Sequence, residues 1–378
     1  MMHGRARRFL SPFLLLLLAT SARADGPTAM RSSFPDRRWG AVTAADAGVA
    51  GAGLAIDPAA SLYANPALAL EGGKALRISG VLQQRNRDDL HASTTDYEDA
   101  SGFPAVGEIG ARLRLKGLGI TAYYSQPHYE HEETRFVGVD PGTGEVTGDP
   151  YPRRNESTSS TGYGGVGAAL RLGNGLLLGA AAEGVFLKER YLSTPQVPPG
   201  VPADSFDTDR TATVIGGAIG AAYSVEGGLV RLGASYHMAG DATYDDGGSD
   251  QAPAVGFVGV RVGRSAGPAG LFGARFLGAR DVDLADPVSN PQSADARTEY
   301  SLGFNYLDPA GTWDLRIGGG ASPRPSDDAL KLSRFGVSVG GGTEGAHVAL
   351  AYEHTSEDHE SGRSSSRNTI ALSVEVIP

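Results

Sequence analysis

The chain has 378 residues, a formal net charge of −10 and no cysteine, which excludes disulfides, thiol catalysis, thiolate zinc and lipid attachment through an N-terminal cysteine. An acidic chain also argues against nucleic acid as a partner. The 54 glycines form no Gly-X-Y period; they sit inside apolar segments, where strands tolerate them because backbones approach closely or a wall must bend.

Residues 1–24 read as a secretory signal: Arg5, Arg7 and Arg8 precede the apolar run from Phe9 to Leu18, and Ala22-Arg23-Ala24 supplies the small-residue cleavage site. Arg7-Arg8 also fits a twin-arginine signal, although the apolar run and the small-residue site suffice for ordinary secretion. The signal holds four arginines and no acid, so the chain from about Asp25 carries a net charge of −14. Beyond it no run of 18 apolar residues encodes a membrane-spanning helix.

Residues 25–73 form the next unit. Thr43 to Leu70 is mostly Ala, Gly and Leu, interrupted by Asp46, Asp57, Pro58, Asn65 and Pro66, and predicts short helices and tight turns. Gly48-Val-Ala-Gly51-Ala-Gly53 could pass for a phosphate-cradling loop. That reading needs a buried strand before it, a helix after it and an acid about 20 residues on. Here Ala-Val-Thr-Ala-Ala-Asp-Ala precedes it and Asp57-Pro58 interrupts any helix, so a segment this rich in small residues is read as a plug packed inside the remainder of the chain.

Residues 74–378 carry an alternating pattern. In RTEYSLGFNYL, Tyr300, Leu302, Phe304 and Tyr306 share one face and Arg297, Glu299, Ser301, Gly303 and Asn305 the other, the spacing of a strand. About fourteen such segments occur, near 75–86, 104–115, 118–126, 161–172, 176–190, 211–225, 229–238, 253–263, 269–279, 297–307, 313–321, 333–341, 346–354 and 367–377. Short turns such as Lys116-Gly117 and Gly173-Asn174-Gly175 take turns with long polar loops, the asymmetry of an outer-membrane barrel. Trp313, Tyr223, Tyr236, Phe276, Tyr306 and Tyr352 fall toward segment ends, where aromatic girdles sit. A large secreted β-sandwich is the alternative, but it gives no reason for the alternation of short and long connectors. The fold class expected is all-β: a fourteen-stranded antiparallel transmembrane barrel with a small, partly helical N-terminal plug.

Gly51, Gly53, Ala55, Asp57, Ala60 and Tyr63, followed by Asn65-Pro66-Ala67-Leu68, resemble the opening of the FadL-type outer-membrane transporters of long-chain fatty acids and other hydrophobic compounds, PorV-like relatives included. The resemblance implies a fourteen-stranded barrel whose N-terminal hatch fills the lumen. It further implies passive transport, sideways exit of ligand through a gap made by a strand kink, and a role for Asn65 in tying the hatch to the wall. By itself Asn65-Pro66 also reads as a plain turn initiator.

Two features depart from the family. The chain ends Val374-Glu-Val-Ile-Pro378 without a terminal aromatic, so recognition by barrel-assembly machinery is expected to rest on Ile370, Leu372, Val374 and Val376, or on divergent machinery. Assigning the more apolar face to lipid turns Arg77, Arg112, Arg114, Arg171, Arg231, Arg261 and Arg316 inward, where they hold the hatch through Asp46, Asp57 and Glu71, attract a carboxylate head group or, at turn flanks, are simply solvated. The first is favoured, since semi-buried charges need partners.

Remaining constellations carry less. His128-Tyr-Glu-His-Glu-Glu133 and the stretch 354–360 lack a metal-ligand spacing, and Asp245 to Asp250 lacks the terminal acid of a calcium loop. No Gly-x-Ser-x-Gly elbow occurs, and no catalytic residue, metal or cofactor is assigned. The loops 127–160, 191–210 and 280–296 are expected to be contact surfaces or a lid. The expected function is passive passage of a small hydrophobic or amphipathic, fatty-acid-like molecule across the outer membrane. The rival is a PorV-like barrel that escorts a secreted protein partner.

Overall fold

The computed structural model describes residues 40–71, 73–87, 103–136, 153–195, 206–225, 228–238, 240–245, 249–252, 254–264, 266–282, 292–294, 296–322, 331–343, 345–358 and 364–377. The expected signal peptide and its cleavage point lie outside these. In chain order the strands are β1 (Ala75–Arg87), β2 (Phe103–Leu115), β3 (Leu118–Phe136), β4 (Arg153–Leu172), β5 (Leu176–Pro195) and β6 (Phe206–Ser224). Then come β7 (Val230–His237), the hairpin β8 (Gly240–Thr243) and β9 (Ser249–Ala252), β10 (Val255–Gly263), β11 (Gly267–Leu277), and the hairpin β12 (Arg280–Val282) and β13 (Gln292–Ala294). β14 (Arg297–Leu307), β15 (Trp313–Ser322), β16 (Lys331–Thr343), β17 (Ala346–Asp358) and β18 (Ser364–Val376) complete the chain.

Fourteen of these strands close into one barrel in the order β1-β18-β17-β16-β15-β14-β11-β10-β7-β6-β5-β4-β3-β2. Closure is made by β1 and β18, paired from Leu76 with Val376 to Arg87 with Ser365. Each of the fourteen alternating segments coincides with a barrel strand. Outward side chains form an apolar belt that includes Ile78, Leu302, Leu350 and Ile215, the last 91% exposed. That is the surface lipid covers on a barrel of this kind. Tyr306 and Trp313 stack at 5.0 Å beside the β14–β15 turn.

Strand lengths differ from expectation on one side. β3 runs through Pro127 to Phe136, β4 begins at Arg153, β5 reaches Pro195 and β6 begins at Phe206. Much of the supposed loops 127–160 and 191–210 is therefore strand, and 280–296 contains a hairpin; the rest of these loops lies outside the described residues. The physical reason is visible on β5 and β6. Lys188 pairs with Asp209 and Arg190 with Asp207 on the outer face, so pairing continues where hydropathy alternation has stopped.

The N-terminal segment lies inside the ring. Helix α1 (Ala44–Gly48) is capped by Thr43, whose side chain accepts from Asp46 N, and a 3-10 turn (Pro66–Leu70) is capped by Asn65 with Pro66 at its first position. Gly40–Ala50 and Ala60–Leu70 are buried throughout. Ala41, Ala44 and Ala47 pack on Val81, Ala349, Ala351 and Ala371 of the wall, while Ala67 to Leu70 pack on Ala169, Leu177 and Ala222.

Glycine makes this fit possible. Gly233, Gly259 and Gly273 lie side by side across β7, β10 and β11, and Gly303, Gly318 and Gly336 across β14, β15 and β16. Cross-strand neighbours point to the same side, here inward. A Cβ at Gly318 would stand 2.6 Å from the Val49 backbone and one at Gly273 2.8 Å from Ala52 Cα. The two rows form the groove in which Ala47 to Ile56 lies.

Candidate functional site

The motif residues tie the segment to itself and to the wall. Asn65 Nδ2 donates to Ala55 O at 2.8 Å and to Ala221 O of β6 at 3.2 Å, and its Oδ1 accepts from Ala67 N at 3.0 Å. One buried amide therefore joins two turns of the segment and a barrel strand. Pro66 and Ala67 seat against Gly179 and Gly220, which face each other across β5 and β6. Gly51 takes φ 88° in the turn after α1, and Gly53 packs against Ala60 and Asp57, so neither is arranged as a phosphate loop.

The seven arginines separate into groups. Arg316 Nη1 meets Asp57 Oδ2 at 2.8 Å, Arg231 pairs with Glu71, and Arg77 Nη2 donates to Pro58 O at 2.9 Å. Arg77 also binds Glu108 and Glu375, and Arg112 donates to Gly73 O and reaches Glu375, at the closure of the ring. Arg261 is half-buried and donates to Arg264 O. Arg114 and Arg171 are exposed beside the short turns and are not brought to the segment.

Of the acids expected to receive arginines, Asp57 and Glu71 do. Burial pushes the Asp57 carboxyl up, but Arg316, the Ala59 N–H, Arg261 and Arg231 outweigh it and hold the group below the usual range. Asp46 instead accepts Val42 N–H at 3.1 Å. Burial, and then repulsion from Glu353, raises its pKa to about 7.

Several lumen residues escaped the sequence reading. Glu108 on β2 accepts from Ser61 Oγ at 2.7 Å and from Leu62 N at 2.9 Å. Above Ala64, Tyr63 stacks on Tyr163 at 5.6 Å, with His237 at 5.4 Å and Phe257 at 6.0 Å. Glu183 accepts from Tyr123 and contacts His237. Their signal was a lone acid or imidazole at inward parity within an apolar strand.

The upper lumen has two different sides. Val185, Leu187, Ala212, Val214, Val255 and Phe257 belong to one apolar cluster with Ala242, Tyr244 and Ala252, contributed in and beside the β8–β9 hairpin. Next to it, starting at the cross-strand neighbour of Phe257, Arg275 and Arg334 bind Glu299, with Glu353 and Arg367 also buried. The inside of the barrel is thus apolar over one group of strands and charged over the next.

The wall itself has a seam. β2 pairs with β3 from Leu115–Leu118 up to Glu108–Ser125, and among the described residues no pairing between them continues higher. There β3 bulges: Ser125 opposes Tyr163 and His128 opposes Thr161, leaving Gln126 and Pro127 against the single residue Gly162. β2 above that point pairs only with β1. Gly40 N donates to Pro127 O at 2.7 Å, so the start of the described N-terminal segment stands at the seam.

Among the described residues no group of three or more His, Asp or Glu side chains is placed to hold a metal ion. His128 is buried with Nε2 2.7 Å from Ser159 Oγ, and His354 Nδ1 lies 2.9 Å from Asn368 Oδ1. The side chains of 130–133 and 357–358, and residues 246–248 and 359–360, lie outside the description.

No family profile and no curated protein matches the chain. Solved structures do. The CymD monoaromatic hydrocarbon channel superposes with a TM-score of 0.62 at 13% identity, over 90% of this chain and 98% of its own. The toluene transporter TbuX of Ralstonia pickettii gives 0.61 at 16%, over 90% and 98%. A FadL homologue from Pseudomonas aeruginosa gives 0.59 at 13%, over 89% and 98%. Ring size, connectivity and these superpositions agree that the chain has the fold of the FadL-type outer-membrane transporters.

Proposed function

We propose that the chain is an outer-membrane channel through which small hydrophobic or amphipathic molecules pass down their gradient, with the N-terminal segment as hatch and no chemistry performed. The observation that carries this reading is the seam between β2 and β3: a stretch of wall where, among the described residues, these two strands no longer pair would give a ligand a sideways way out into lipid. The Asn65, Arg316 and Arg231 contacts are read as the ties that hold the hatch, and the adjoining apolar and charged parts of the wall suit a molecule with a hydrocarbon body. The names of the similar structures, a monoaromatic hydrocarbon channel and a toluene transporter, point to the same class of cargo.

The test is uptake of radiolabelled toluene and, separately, radiolabelled palmitate into vesicles with a lipopolysaccharide outer leaflet. Protein-containing vesicles are expected to take up at least one probe several-fold faster than empty ones, without any energy source. Rates equal to those of empty vesicles for both probes would refute the reading.

A further inference from the structure

The carbonyl oxygen of Ala64, immediately before Asn65-Pro66-Ala67, is held by two donors from β7: Ser235 Oγ, and His237 Nε2 at 3.2 Å. The other ring nitrogen, Nδ1, lies 2.9 Å from Glu183 Oε2 on β5. Glu183 Oε1 in turn accepts from the Tyr123 hydroxyl on β3. The side chains of His237 and Glu183 are each 1% exposed.

A carbonyl only accepts, so Nε2 must carry a proton. The contact between Nδ1 and the carboxylate also needs one, carried either by the ring or by the acid. Removing that second proton would leave two acceptors face to face at 2.9 Å with no water to part them, which is costly in a buried site. The ring could then keep its bond to Ala64 or its bond to Glu183, but not both.

We propose that Glu183 and His237 are positioning residues for the hatch: the proton they share fixes the imidazole whose other nitrogen grips Ala64. This rests on the hatch reading above. The groups packed around the ring are Tyr63 of the segment, Tyr163 of β4, Phe257 of β10 and Ser235 of β7, with Tyr123 behind Glu183. One layer out, Arg275, Asp46 and Glu108 act on Tyr63 through their charge.

The experiment measures potassium chloride conductance of the full-length protein in planar bilayers at one fixed pH. The parent is expected to stay closed. Glu183→Leu takes the partner from Nδ1 and should conduct several-fold more. Glu183→Gln should stay closed, because its amide can donate to Nδ1 while its oxygen still accepts from Tyr123. His237→Phe keeps the ring packing but loses both bonds, and should conduct. A folded Glu183→Leu or His237→Phe that stays closed would overturn the proposal, as would a Glu183→Gln that conducts like Glu183→Leu. Asn65→Ala separates the two levels. If it opens the channel while Glu183→Leu stays closed, the positioning role alone is wrong; if it never opens the channel, the hatch reading fails.

Discussion

Arg316 of the wall and Asp57 of the inner segment meet with Nη1 and Oδ2 2.8 Å apart, while Arg316 Nε holds Asp314 Oδ2 at 2.7 Å on its own strand. One guanidinium thus serves two largely buried carboxylates. Arg316→Met strands both acids, a loss of about 3 kcal/mol for a buried pair broken on one side. The effect is expected in the segment first, as faster amide exchange over residues 40–71 with the barrel strands unchanged. Because the Asp57 carboxyl is depressed, its tie is fully present above the ordinary carboxylate value of about 3.9 and is lost as pH falls through the lower folded value. In Arg316→Met that loss moves to higher pH.

The inward glycine rows give a second prediction. Gly318→Val drives side-chain atoms into the Val49 backbone, and overpacking of this kind costs about 1–3 kcal/mol. Gly80→Val puts the same side chain where nothing stands within 4 Å. Both variants should show the mobility of a folded barrel in unheated electrophoresis, and Gly318→Val alone should raise ion conductance.

Asn65→Ala removes an amide that satisfies two carbonyls and one N–H at a position 1% exposed. Unsatisfied buried groups cost about 1–3 kcal/mol each, so the segment is expected to unseat at lower denaturant while the barrel transition stays in place. Exchange or protease cleavage between Ala60 and Leu70 reports on this directly.

The sequence made the barrel legible because a strand with lipid on one side must alternate, and alternation survives without knowledge of the partner strand. It did not reveal that β3 to β6 continue beyond the apolar belt, because there Lys188, Arg190 and Asp209 replace the hydrocarbon signal and only pairing shows the strand. Pro127 reads as a stop for a similar reason. Proline does end most interior strands, and it is accommodated here by a bulge in the β3–β4 ladder, where the described pairing of β3 with β2 has already ended. Asn65, Asp57 and Arg316 were visible as residue types that need partners. The Glu183–His237 contact was not, since the 54 positions that separate them give no hint that β5 and β7 bring the two side chains together, with the imidazole bound to one buried carbonyl.

Asp46 sets a pH dependence of its own. Its folded pKa, raised to about 7 by burial and by repulsion from Glu353, exceeds the unfolded value. The stability linked to it is therefore complete below the ordinary carboxylate range and falls as pH rises toward and through about 7. Amide exchange of α1, corrected for the intrinsic effect of pH, should accelerate between about pH 5 and pH 8, on the order of tenfold or more. Asp46→Asn keeps an acceptor for Val42 N–H and has no proton to lose, so its corrected exchange should be flat across that window.

Deleting Pro127 addresses the seam directly. Ser125 opposes Tyr163 and His128 opposes Thr161, so removing one of the two intervening residues restores a one-to-one register and leaves every inward side chain of β3 inward. The deletion also takes away the carbonyl that receives Gly40 N–H. A straight β3 could then pair with β2 above Ser125, which should stabilise the wall and close the sideways path. Heat-dependent electrophoretic mobility should show a barrel at least as resistant as the parent, while uptake of the probe that the parent carries should fall at least tenfold. Uptake that persists in a folded deletion variant would mean that the ligand leaves by another route, through the floor of the lumen past the hatch.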